Sequence, residues 1–552
     1  MTNTLLTLHD PAAARRYYAD GLWREDTLYT LLQQHTRNRP EAYALRDATR
    51  RLTWNELLTS VDAVAADLDA AGLKRGERVA VWLPNRVEAV ILFLACSRNG
   101  YVCNPSLHQN YTVAEIVGLL RRTNAAALFA EPGYGADAFS ADIFSAAADL
   151  TFLRKVYTLG AGQASAAPFP TGPGLMPPAE TNPDAVVYLA FTSGTTGTPK
   201  GVMHSANTLL ANARAMVADW GHDSETILLS LSPLSHHIAT VAIAQAMTAG
   251  MELVVNSPPA GKTPLDWIVE TGATYVMGVP THAMDILAEM RRRDLANPND
   301  GRLGAVKTFY MAGSVIPREV AQTFLDRGVI PQNVYGMSEN SSHQYTLPSD
   351  SPETIVATCG RACAAYEITL WDPENPDIAV APGAVGEIGG RGACLTLGYF
   401  DDQRATEDSF NRSGWFMSGD LGRFDANGNL EIVGRKKDLI IRGGHNIHPA
   451  RIEELAMRHQ AVARCAAFAV GDERLGEKVC LSVIWHEGES AEADALLAHL
   501  HAEGLSRYDM PEYFIAMEAY PLTASGKILK RELVEWAKSG RIAPTPVRWT
   551  GG

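Results

Sequence analysis

Residues 191–201 read Phe-Thr-Ser-Gly-Thr-Thr-Gly-Thr-Pro-Lys-Gly, and no other stretch limits what this chain can fold into so sharply. An apolar run, Ala185 to Ala190, leads into it as a strand. Beyond it, Leu209, Ala213, Met216, Val217 and Trp220 fall on one face of a helix. The expected unit is therefore strand, loop, helix. Three glycines let the backbone turn and present its N–H groups, while five hydroxyls and Lys200 add donors. Such a loop suits a polyphosphate. It is not the GxxxxGK[ST] loop of common nucleotide hydrolases, because Lys200 stands between Pro199 and Gly201, with no glycine before it and no hydroxyl after it.

The surrounding sequence alternates strand and helix patterns. Arg78 to Leu83 reads as a strand, Arg86 to Arg98 as a mostly apolar helix, and Ala125 to Phe129 as another strand. That alternation predicts an α/β fold with a largely parallel sheet. Residues 159–183, rich in Gly, Ala and Pro, read as a surface connection. The pattern shortens after Gly434-Arg-Lys-Lys-Asp438. A helix after Pro449, strands at Cys465 to Val470 and Val479 to Trp485, a helix near Ala493 to Leu500, and a final strand and helix follow. The expected architecture is a large N-terminal domain of layered α/β subdomains (1–435), a short connection (436–438), and a small C-terminal α+β domain (439–552).

With 62 acidic against 48 basic residues, the net charge is −14, and no basic tract stands out. That argues against a nucleic-acid partner or an anionic membrane surface. The seven cysteines are scattered without CxxC pairs and read as reduced thiols. The first residues lack a signal-peptide core, and the longest apolar run, Ala89 to Cys96, is too short for a membrane span. The expected location is the cytoplasm. The oligomeric state stays open, a homodimer included.

The loop at 191–201 closely resembles that of adenylate-forming enzymes: acyl-CoA synthetases, adenylation domains and luciferase. Later segments resemble further motifs of that superfamily, in the same order. These are Tyr335-Gly-Met-Ser-Glu339 (YGxTE), Ser418-Gly-Asp420 ([ST]GD), Gly434-Arg435-Lys-Lys-Asp438 (GRxKD), Arg442-Gly-Gly-His-Asn-Ile-His-Pro449 and Ser525-Gly-Lys527 (SGK). Gly201 to Asn212, Tyr335 to Asn340 and Ile440 to Gly444 resemble bacterial cyclohexanecarboxylate–CoA ligases and medium-chain acyl-CoA synthetases.

That resemblance implies ATP, Mg²⁺ and coenzyme A as co-substrates and cofactor, a C-terminal domain mobile about a hinge at 436–438, and a role for each matching residue. Thr192, Ser193, Gly194, Thr195, Thr196, Gly197 and Lys200 would hold the β- and γ-phosphates, and Glu339 the Mg²⁺. Gly313, Ser314 and Val315 would wall the adenine opposite Tyr335, with Gly336 and Ser338 alongside. Asp420 would accept the ribose hydroxyls, supported by Arg435. Lys527 would touch the substrate carboxylate and the α-phosphate, and Gly443-Gly444 would line the pantetheine channel. His236, in Ser232-Pro-Leu-Ser-His236-His237, would line the acid site, whereas His237 reads as a structural histidine. His445 and His448 read as ordinary polar residues rather than metal ligands.

No acidic residue occurs from Leu229 to Ala244 to grip a substrate ammonium, and Leu231 occupies the position where hydroxybenzoate-loading enzymes carry asparagine. Gly443-Gly-His-Asn446 lacks the serine of a phosphopantetheine site, and the sequence leaves little room after Lys527 for a carrier domain. The expected reaction is acid + ATP + CoA → acyl-CoA + AMP + pyrophosphate, on a medium-sized, cyclic or aromatic carboxylic acid. Loading of a separate acyl carrier protein is the alternative.

Overall fold

The computed structural model describes residues 5–160, 166–192, 199–297, 301–314, 316–523 and 527–550. Its N-terminal part is built on two large sheets. One runs, edge to edge, Ala167–Pro168, Lys155–Thr158, Ala127–Ala130, Arg78–Trp82, Val102–Asn104, Val186–Thr192 and Lys200–Ser205. All its neighbours are parallel except the last pair. The other places Ile330–Met337, Thr308–Met311, Tyr275–Gly278, Ile227–Ser230, Glu252–Val255 and Tyr43–Arg46 in a parallel series, with antiparallel strands at both edges. Strands this apolar are stable only when covered on both faces. The helix Val87–Asn99 supplies such cover, with every residue buried. Its two buried charges are paired, Glu88 with Arg50 and Arg86, and Arg98 with Asp62. Unpaired, each would carry a desolvation penalty of several kcal/mol.

The helix expected beyond the phosphate loop is present at Ala206–Trp220, but an unforeseen strand precedes it: the loop joins two antiparallel strands, Thr192 pairing with Lys200 across its base. The helix starts only at Ala206, capped by the Ser205 side chain. Lys200–Ser205 is buried except at its first residue, and pairing with Val186–Thr192 satisfies backbone groups that a helix would otherwise have bonded internally.

A four-stranded antiparallel sheet, Tyr366–Trp371, Gly386–Gly392, Phe416–Phe424 and Leu430–Arg435, closes the N-terminal part. A single 3₁₀ turn, Lys436–Asp438, follows. Every strand of the last sheet lies beyond it: His445–Ile447, Ile440–Arg442, Gly476–Trp485, Tyr513–Ala516 and Thr545–Pro546, with Val462–Asp472 beside Gly476–Trp485. The helix Pro449–Ala456 buries Ile452, Leu455 and Ala456 against this sheet. The fold is α/β, with a large N-terminal and a smaller C-terminal domain. Among its described residues, the stretch at 159–183 lies mostly at the surface, as expected of a connection. Ala167–Pro168 extends a sheet, and Arg98 donates to the Pro177 carbonyl at 3.1 Å. Among the described residues no helix is long and apolar enough to cross a membrane.

Candidate active site

The site collects where strands end. Ile330–Met337 delivers Tyr335 and Gly336, then turns through Glu339 into Ser341–Tyr345. A Cβ on Gly336 would stand 1.8 Å from the Ser341 carbonyl oxygen, so only glycine permits this turn. Tyr335 is buried, and its hydroxyl donates to Asp420 Oδ2 at 3.0 Å. Arg435 Nε donates to Asp420 Oδ1 at 2.9 Å, because the two residues are register partners on adjacent strands. Asp420 is thus oriented from both sides. The fixing by Tyr335 had no signal in the sequence.

Glu339 is 9% exposed. Tyr399 donates to its Oε1 at 2.9 Å, and the Lys200 ammonium sits 4.5 Å from the centre of the Tyr399 ring. Burial pushes the Glu339 carboxyl pKa up, partly opposed by the Tyr399 bond and the Lys200 charge. A buried carboxylate with one oxygen tied down gains from a cation beside it. Mg²⁺ takes few protein oxygens and completes its shell with phosphate and water, so this residue fits that ion. Among the described residues no group of three or more His, Cys, Asp or Glu is arranged to hold a metal. Ser338 presents its carbonyl to His204 Nε2 at 2.7 Å.

Lys527 arrives from the C-terminal domain. Its backbone and Thr523 exchange bonds of 2.8 and 3.0 Å. Its Cε lies 4.0 Å from where a Cβ on Gly313 would stand. The side chain keeps access to water in the cleft, yet the protein crowded around it and the Arg435 charge push its pKa down to about 8, against the pull of Asp420 and Glu339. One cation thus lies by Gly313 and within electrostatic reach of Asp420 and Glu339. Arg458 of the small domain pairs with Glu319 of the large one at 3.2 Å, and Lys436 with buried Glu387 at 3.1 Å.

His236 lies at the start of the helix His237–Ala249, beside His108 and within electrostatic reach of Lys527. Burial, then the charges of His108, His282 and Lys527, push its pKa down to about 3. His237 is an interior residue, its Nε2 3.0 Å from Ser341 Oγ. Gly443 and Gly444 are exposed, as the two-residue turn between Ile440–Arg442 and His445–Ile447. Their φ values of 58° and 86° are those a type I′ turn requires. His445 pairs with Asp509 at 2.9 Å. Thr192 Oγ1 lies 3.5 Å from the Lys200 carbonyl at the loop base, and Ser314 is exposed beside Gly313. Ser193, Gly194, Thr195, Thr196, Gly197 and Val315, together with Ser525 and Gly526, lie outside the described residues. Tyr399, Glu387, His108 and His282 were not singled out by sequence reasoning. Each is a lone residue without a local pattern.

The AMP-binding enzyme family matches residues 32–400, and the AMP-binding enzyme C-terminal domain matches residues 451–527. The chain is 29% identical to the medium-chain fatty-acid–CoA ligase of Escherichia coli (strain K12), over 93% of this chain and 91% of that protein. It is 31% identical to the 2-hydroxy-7-methoxy-5-methyl-1-naphthoate–CoA ligase of Streptomyces carzinostaticus, over 96% of each. ATP-bound MatB from Rhodopseudomonas palustris matches with a TM-score of 0.80 at 26% identity, over 94% of this chain and 99% of that one. The o-succinylbenzoate CoA synthetase MenE from Bacillus subtilis, in complex with its acyl-adenylate intermediate, matches with a TM-score of 0.77 at 25% identity, over 92% and 98%. The matches span both domains, and the chain belongs to the AMP-binding enzyme family as an AMP-forming acid–thiol ligase.

Proposed function

We propose that the protein joins a medium-sized, cyclic or aromatic carboxylic acid to coenzyme A in two steps, through an acyl-adenylate. The observation that carries this reading is the meeting of Lys527, from the small domain, with Gly313, Arg435, Asp420 and Glu339 of the large one. In the first step a carboxylate oxygen attacks the α-phosphorus of ATP, and the bond to the β-phosphate oxygen breaks to release pyrophosphate. Two anions must approach, so catalysis rests on charge neutralisation and alignment. Lys527 bridges the carboxylate and the α-phosphate, Asp420 takes the ribose hydroxyls, and Tyr335, besides holding Asp420, lies by the adenine. Lys200 and the loop face the outer phosphates. Glu339 would hold Mg²⁺, which supplies charge neutralisation on the phosphates. In the second step the CoA thiol attacks the acyl carbon, and AMP leaves with the carboxylate oxygen. Relatives named for medium-chain fatty acids and for a substituted naphthoate support an organic acid of this size. The test is purified protein with ATP, Mg²⁺, CoA and a panel of acids. AMP and pyrophosphate are expected only with a substrate acid, and ADP with phosphate would overturn the proposal.

A pH dependence follows from Lys527. The ammonium carries the charge that adenylation needs, so the function is present below a pKa of about 8 and is lost as pH rises through it. The kcat/KM for pyrophosphate release is expected to fall on the alkaline side from about pH 8, earlier than an ordinary lysine with its pKa of 10.5 would dictate. Lys527→Arg keeps its charge at any accessible pH, and whatever activity it retains should lack that limb. An unchanged limb in the arginine variant would assign it to another group.

A further inference from the structure

Two imidazoles, His108 and His236, pack against each other, and a third, His282, lies within electrostatic reach of His236. His108, in the loop after Val102–Asn104, sets its ring edge-on to His236 with centroids 4.7 Å apart. His282 stands in the first turn of the helix Pro280–Ala296, close enough to influence His236 electrostatically. Of the three, His236 lies within electrostatic reach of Lys527. Ile238, two residues after His236, and Val279, three before His282, both flank the Gly313 wall that Lys527 reaches.

The free nitrogens are chemically specific. His282 Nδ1 accepts the Val279 N–H at 3.3 Å, which fixes the proton of the neutral ring on Nε2 and makes that atom a donor. His108 Nδ1 lies 2.9 Å from Ser235 Oγ, a hydroxyl that can donate or accept, so His108 Nε2 can take either role. Among the described residues neither Nε2 has a hydrogen-bond partner, nor has either nitrogen of His236, and none of these atoms is sealed away from solvent. Burial keeps the rings neutral, lowering the pKa of His108 to about 4 and that of His282 below its ordinary value. The three imidazoles do not form a metal cluster. An alkyl chain would leave these nitrogens unpaired, and a site built to bond a polar group rejects the analogue that lacks it.

Resting on the ligase reading above, we propose that the acyl site selects an aryl acid bearing a hydroxyl group. His282 Nε2–H donates to the hydroxyl oxygen, and His108, set by Ser235, accepts the hydroxyl proton. His236 meets the aromatic ring edge-on. His108 and His282 are thereby specificity-determining residues.

The experiment measures kcat/KM by pyrophosphate release for benzoate, its three monohydroxy isomers, cyclohexanecarboxylate and octanoate. At least one hydroxybenzoate is expected to exceed benzoate and octanoate by roughly 100-fold or more. His108→Phe and His282→Phe are each expected to shrink that ratio at least tenfold. Benzoate or octanoate equalling the best hydroxybenzoate on the unmodified protein overturns the proposal, and so does a ratio that survives in folded variants. The panel on the unmodified protein decides the matter even if a variant does not fold. If no acid yields AMP and pyrophosphate, the ligase reading falls with it. If acids react but hydroxyl groups confer no advantage, only this inference falls.

Discussion

Lys527→Ala is expected to lower the rate of adenylate formation about 10²- to 10³-fold, while largely sparing thioester formation from supplied acyl-adenylate. The size follows from removing one preorganised donor to transition-state charge, worth about 3–4 kcal/mol. The asymmetry follows from geometry. Lys527 lies against the Gly313 wall and within reach of Arg435, Asp420 and Glu339, where the proposed reaction puts the α-phosphate. The second step asks for a thiol at the acyl carbon and no cation there. Pyrophosphate release and acyl-CoA formation are measured separately, and equal losses in both would show that Lys527 supports the site generally.

The second large effect is expected at the hinge. On the two-step proposal, Lys527 must withdraw before the thiol enters, and Lys436–Asp438 is the segment on which the small domain would turn. Lys436 is tied to Glu387, and Gly443-Gly444 stands exposed. Asp438→Pro fixes φ, removes an N–H and drives Lys437 toward extended backbone, a perturbation of about 3 kcal/mol when it opposes a helical turn. It is expected to slow one half-reaction at least tenfold more than the other. Gly444→Leu is expected to spare pyrophosphate release and block thioester formation. Because Gly444 has φ 86°, leucine also strains the turn. Gly444→Asn, which tolerates left-handed backbone, separates side-chain bulk from strain. Rates that fall together in Asp438→Pro and Gly444→Asn would argue against rotation.

Much of this site could be read from local sequence, because its anchors lie in short segments with strong chemical meaning. Asp420 and Arg435 were visible individually, but their bond depends on the register of two antiparallel strands fifteen residues apart in the chain. Tyr335 pointed to an aromatic surface, whereas its hydroxyl also positions Asp420, a contact spanning 85 residues. Tyr399, which fixes Glu339, and His108 and His282, which flank His236, are brought in by tertiary packing alone. The strand between the phosphate loop and the expected helix went unread for a related reason. Lys200–Ser205 carries no helical periodicity of its own, and pairing with Val186–Thr192 decided its conformation. The paired glycines at 443 and 444 show the reverse case, since a tight turn accounts for them locally whatever they do for a thiol.

Whether the acid attacks the α-phosphorus is tested most directly by oxygen transfer. A substrate acid labelled with ¹⁸O in its carboxylate is turned over with ATP and CoA, and the products are weighed by mass spectrometry. One carboxylate oxygen is predicted to appear in AMP and none in pyrophosphate. Label in inorganic phosphate, with ADP as the partner product, would mean an acyl-phosphate route and would contradict the role given to Lys527, Asp420 and Glu339.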